Sequence, residues 1–156
     1  MRFAGELPTV EAPAGPVDLR AVPFDRLADY DRTRFPTPRP AFLSAWIAMP
    51  ETVGLAALSD GRLGGYGVAR RCRQGWKIGP LFADDETTAE TLFTGLTARL
   101  GEGPVILDVP ETNPAAVRLA ERHGLAPVFE TARMYAGPAP DIDPAGVFGI
   151  TSFELG

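Results

Sequence analysis

Residues 76–128 read WKIGPLFADDETTAETLFTGLTARLGEGPVILDVPETNPAAVRLAERHGLAPV, and this stretch decides the fold. It divides into a strand (Trp76–Phe82), an acidic turn (Ala83–Glu86), a helix (Thr87–Leu100), a strand (Val105–Val109), a capped helix (Asn113–His123) and a strand (Leu125–Phe129). Ala89, Leu92, Phe93, Leu96 and Leu100 fall on one stripe of the first helix, the spacing of an amphipathic segment. Asn113 is a good N-cap, and Pro114 stands at the first helical position, where a missing N–H is harmless. Gly124 suits the left-handed residue that closes such a helix. Two strands joined through a helix of this length imply a right-handed crossover.

Outward from this stretch the elements are shorter. Met1–Pro16 is rich in Pro, Ala and Glu and has no period, so it reads as a flexible lead-in, with a single domain over 17–156. Val17–Val22 alternates as a strand, and Phe24–Phe35 reads as a helix. Pro40 opens a second helix with Phe42, Leu43, Trp46 and Ile47 on its apolar side. Thr52–Leu58 and Leu63–Arg73 form a hairpin around Asp60-Gly61. Gly64, Gly65 and Gly67 in its second strand permit another backbone or a ligand to come close. Phe129–Ala136 is expected to extend the sixth strand, and Val147–Phe153, after a Pro- and Asp-rich loop, supplies a last one.

With 156 residues and a net charge of −5, the chain lacks the basic face that sequence-independent nucleic-acid binding requires. One cysteine, Cys72, and one histidine, His123, leave neither a disulfide nor a zinc site. No apolar run is long enough for a membrane span and no signal-peptide pattern is present, so a cytoplasmic location is the default.

The order strand–turn–helix–strand–helix–strand resembles the GCN5-related N-acetyltransferase (GNAT) superfamily. Ile78–Phe82 matches its cofactor-facing fourth strand, Val105–Val109 its fifth, and Asn113–Leu125 its fourth helix. The closing run from Arg133-Met134-Tyr135 to Phe153-Glu154-Leu155-Gly156 is similar to the C-terminal GNAT-related domain of two-domain acetyltransferases. The resemblance implies an α/β fold with a mixed sheet: about seven mostly antiparallel strands, about four helices on both faces, and a splay between strands four and five. It also implies acetyl-CoA as cofactor and attack of a small-molecule amine on the thioester. Contacts are then expected from Gly79, Leu81, Phe82 and Ala83 on the fourth strand, and from Thr87, Thr88 and Asn113.

Two features depart from the family pattern. The turn that should cradle a pyrophosphate is Ala83-Asp84-Asp85-Glu86-Thr87-Thr88, without glycine or arginine. Like charges about 4 Å apart repel by roughly 4 kcal/mol at an effective dielectric near 20, so these acids oppose phosphate. They equally serve as first-turn caps of the helix. The second departure is Ala120, at the position of the family's proton-donating tyrosine. Tyr135 is the nearest substitute as acid, Asp108 or Glu111 a candidate base, and Arg39, Trp46 and Arg133 candidate substrate contacts. Two functions remain: an acyl-CoA-dependent N-acetyltransferase, or a non-catalytic GNAT-like binding module. Pro80 should keep the fourth strand from bridging to the fifth, leaving a gap lined by Phe82, Asp108, Asn113, Arg133 and Tyr135. The last strand offers an edge for pairing with a second copy as a homodimer.

Overall fold

The computed structural model describes residues 1–155; Gly156, the expected end of the domain, lies outside them. In chain order the elements are β1 (Arg2–Gly5), β2 (Val17–Asp18), α1 (Phe24–Arg32), α2 (Pro40–Ile47), β3 (Thr52–Ser59), β4 (Arg62–Arg71), β5 (Trp76–Ala83), α3 (Glu86–Thr97), β6 (Val105–Asp108), α4 (Pro114–Arg122), β7 (Ala126–Phe129) and β8 (Val147–Gly149). Short 3₁₀ turns occupy Leu19–Ala21 and Pro144–Gly146. The strands form one sheet in the order β2-β3-β4-β5-β6-β1-β7, with β8 paired to β5. Among the described residues only the β5–β6 pairing is parallel.

Alternation along the central strands sorts apolar side chains onto two faces. Leu55, Ala69, Leu81 and Ala83 meet Leu92, Phe93 and Leu96 of α3. Ala56, Tyr66, Val68 and Phe82 meet Leu27 of α1 and Leu43 of α2 on the other face. Gly65 and Gly67 of β4 let α3 and β5 pack closely. A Cβ on Gly67 would come within 2.8 Å of Leu96 Cδ1, and one on Gly65 within 2.7 Å of the Phe82 carbonyl. Asp60 and Gly61, at φ 50° and 73°, make the hairpin turn, and Gly124, at φ 73°, closes α4.

The termini overturn three expectations. Met1–Pro16 is not merely a lead-in: its residues Arg2–Gly5 form β1, inside the sheet between β6 and β7. Four residues without visible period gain their place from backbone pairing on both sides and from burial of Phe3, which is 2% exposed. Val17–Val22 keeps only two strand residues, because the Asp18 carboxylate accepts from the Arg20 N–H and turns the chain. The sixth strand does not run on to Ala136: β7 stops at Phe129, where the four-residue β1 that it pairs with ends.

The splay between β5 and β6 is present, and the chain itself fills it. Those strands pair from Trp76↔Val105 to Ile78↔Leu107 and then part. β5 bulges where Gly79 and Pro80 face Val68, since β4 pairs Gly67 with Leu81 and Ala69 with Ile78. Into the opening runs β8, with Leu81↔Gly149 and Phe82↔Val147 in register. The Ile150 N–H donates to the Asp108 carbonyl at 2.9 Å. Gly149 is needed there, because a Cβ would stand 2.7 Å from Leu107 Cδ1. β8 thus pairs with β5 along one side, and just beyond it the Ile150 bond ties the chain to β6.

A Cβ on Gly79 would lie 2.5 Å from the Thr151 carbonyl and 2.6 Å from that of Ile150, both backbone atoms. Gly79→Ala is therefore expected to cost about 1–3 kcal/mol in urea denaturation. It should also speed hydrogen exchange at Ile150; an unchanged midpoint would show that residues 150–151 do not rest on β5.

Candidate functional site

Asp108 ends β6 at the point where the strands part. Arg2 grips its carboxylate with two bonds, Nε to Oδ1 at 2.6 Å and Nη2 to Oδ2 at 2.9 Å. Lys77 of β5 donates its ammonium to Oδ2 from the other side. Burial pushes this carboxyl up, but the bonds from Arg2 and Lys77 outweigh it and hold the group below its ordinary value of 3.8. The Phe153 ring stacks under Arg2, 4.5 Å from the guanidinium carbon, and closes the cluster. Asp108 is fully buried, so the expectation of a general base fails here: a carboxylate bound to two cations has little basicity and no opening to a substrate.

The acidic turn is consumed by the fold. The Asp85 carboxylate caps α3 by accepting from the Thr88 N–H at 2.7 Å. Asp84 accepts from Arg34 at 2.6 Å and from the Tyr30 hydroxyl at 2.8 Å. Burial and the bond to Asp84 push that hydroxyl far above its usual range. Glu86 pairs with Arg118 and Arg122 of α4, which hold its carboxyl low. Thr87 is left exposed, its carbonyl taking the Thr91 hydroxyl.

The strand residues expected against a cofactor are also engaged. Leu81 and Phe82 pair with β8, and Ala83 is wholly buried opposite Gly65. Gly79 gives its carbonyl to the Trp46 indole N–H at 3.0 Å, so Trp46 ties α2 to β5. Asn113 caps α4 with its Oδ1 and donates Nδ2 to the carbonyls of Ala145 and Val147, both at 3.0 Å. Its place is to hold the entry to β8. Arg39 grips the buried Asp31 with two bonds of 2.8 Å and reaches the Thr151 hydroxyl at 2.9 Å, which leaves it unavailable to substrate. Burial, then the Asp31 carboxylate, push the Tyr66 hydroxyl in that network well above its ordinary value. His123 lies against Glu90 at 2.5 Å, and Cys72 is half-buried.

A cleft of about 720 Å³ opens beside the splay. Phe82, Val109, Val147 and Ile150 line it from the sheet, and residues 131–142 contribute Arg133, Tyr135 and Ile142. Arg133 and Tyr135 are exposed on non-strand backbone, not on an extended sixth strand. Asp108 and Asn113 do not reach this cleft. A smaller hollow of about 440 Å³ lies elsewhere, at Asp18, Met49 and Arg99. Sequence reasoning missed the filling of the splay; its one signal is Gly149 inside a short apolar run, a residue that marks close packing.

A family model described as an acetyltransferase (GNAT) domain matches residues 27–149. The chain belongs to the GNAT acetyltransferase family. A holothin acyltransferase from Pseudoalteromonas sp. (strain SANK 73390) is 30% identical over 149 residues, which cover 94% of this chain and 50% of that protein. A solved structure from Pyrococcus horikoshii, assigned as an acetyltransferase, superposes with a TM-score of 0.74 at 26% identity, over 99% of this chain and 52% of that one. An aminoglycoside acetyltransferase from an uncultured soil metagenomic sample shares the fold, with a TM-score of 0.52 at 15% identity over 80% of this chain and 94% of that one. The chain thus spans about half the length of its first two relatives. GNAT proteins generally use acetyl-CoA; in this chain β8 occupies the edge of β5 at the splay, and Asp85 takes a first-turn donor of α3. Among the described residues no helix is long and apolar enough to cross a membrane.

Asp108→Asn would leave Lys77 and Arg2 facing a neutral amide and is expected to cost about 3–5 kcal/mol. The wild-type carboxyl titrates below its unfolded value, so its contribution is complete above about pH 4 and fades as pH falls through the folded value. Denaturation at pH 7 and at pH 3 should show the gap between the two proteins narrowing in acid; a gap independent of pH would count against the ionised cluster.

Proposed function

We propose that this domain is the non-transferring part of an acyltransferase, a GNAT fold that binds a small molecule while acyl transfer is carried elsewhere. The observation that supports this best is the register of β8 on β5, Leu81↔Gly149 and Phe82↔Val147. A thioester arm lying in the splay would need the same backbone edge. Displacing β8 would also break the bonds from Asn113 to Ala145 and Val147 and from Ile150 to Asp108. The phosphate end fares no better, since free N–H groups at a helix start are what bind phosphate, and Asp85 caps this one. In relatives of twice this length, the other half of the protein has room for a transferring domain.

The second reading is direct transfer from acetyl-CoA to a small-molecule amine, favoured by the 30% identity with a holothin acyltransferase across nearly all of this chain. In that case Tyr135, on the cleft wall, is the hydroxyl nearest to hand for proton transfer. This reading requires β8 to leave β5.

Calorimetric titration of the chain with acetyl-CoA to about 1 mM is expected to give no saturable heat, and incubation with a panel of primary amines no release of free coenzyme A by chromatography. A low-micromolar dissociation constant, or amine-dependent coenzyme A release, would establish the second reading instead.

A further inference from the structure

The cleft beside the splay has a chemical bias that the fold does not explain. Arg34 and Arg133 bring two guanidinium groups to its lining, and Glu111 the only side-chain carboxylate among the described residues. Arg34 is 13% exposed at its side chain and gives Nη2 to Asp84. Its guanidinium lies flat on Gly146, where a Cβ would come within 2.3 Å of Nη1 and 2.4 Å of Cζ, so the plane is fixed by packing. Its Nε–H is buried and finds no acceptor. Arg133 is exposed and enters no ion pair among the described residues. The same cleft is lined by Phe35, Phe82, Ile142 and Phe153, and its volume suits a molecule of drug-like size.

We propose that this cleft binds a small apolar or aromatic monocarboxylate, with the hydrocarbon part against Phe82 and Ile142 and the carboxylate held by Arg34 and Arg133. A planar guanidinium presents paired N–H groups that match a carboxylate, and removal from water strengthens those bonds. The inference goes beyond the reading above and does not depend on where acyl transfer takes place, because the cleft lies open beside β8 as that strand is seated on β5.

Phenylacetate and its neutral analogue phenylacetamide separate the carboxylate from the ring. In nuclear magnetic resonance titrations of the whole chain, phenylacetate is expected to shift amides around Phe82, Val109 and Ile142 and to bind at least about tenfold tighter than the amide. Arg133→Ala, on an exposed segment that leaves the core untouched, should remove most of that advantage without weakening the amide. Arg34→Gln should do the same, and Arg34→Lys, which keeps the charge beside Asp84 without the paired N–H groups, should recover only part of it. Equal affinity for acid and amide, shifts confined to the hollow at Asp18 and Met49, or no binding of phenylacetate at millimolar concentration would overturn the proposal. Binding of acetyl-CoA would overturn the preceding reading and leave this one standing.

Discussion

Asp108 sits where β5 and β6 separate, and the chain is tied together at that residue. Its side chain reaches back to Arg2 of β1 and across to Lys77 of β5, while its carbonyl receives the N–H of Ile150. A lone carboxylate at this depth would be untenable; two cations and a covering Phe153 ring make it a fastening for three strands. The terminal segments of the chain are thereby anchored to the same point, more than a hundred residues apart in the case of Arg2 and Asp108. The usual fate of such a splay is to open a groove. Here the fastening places Ile150 at the mouth of the splay and seats β8 within it.

The same economy governs the start of α3. Asp84, Asp85 and Glu86 look on paper like a cluster hostile to phosphate, yet each has its own donor in the fold: Arg34 with Tyr30, the helix N–H of Thr88, and Arg118 with Arg122. The turn repels less than its composition suggests, because arginines neutralise two of the three acids. One first-turn donor, the Thr88 N–H, is already taken by Asp85. Across the sheet, α1 and α2 are held by a second buried pair, Asp31 with Arg39, which also reaches Thr151 beyond β8. The segment that fills the splay is therefore clamped from both faces, while the cleft beside it remains open.

Much of the scaffold is legible in the amino-acid sequence because its signals are local. The apolar stripe of α3, the Asn113-Pro114 start and Gly124 stop of α4, and the Asp60-Gly61 turn each depend on residues within a few positions of one another. Order and spacing of these elements suffice for the family. Arg133 and Tyr135 belong to the cleft, although the strand expected to carry them ends at Phe129. The partners of Asp108, Asn113, Arg39 and Trp46 were not legible, since side-chain type says nothing of a partner thirty or a hundred residues away.

What the sequence by itself determined is the set of helices and hairpins and their succession, since backbone propensity, capping and periodicity act within one or two turns. What only the tertiary structure decided is the fate of the two ends. Arg2–Gly5 and Val147–Gly149 are too short to show a period, and they become strands because unpaired edges of β6, β7 and β5 supply hydrogen bonds that a buried backbone must find. That choice fills the splay between β5 and β6, and it rests on non-local pairing that no stretch of the sequence contains.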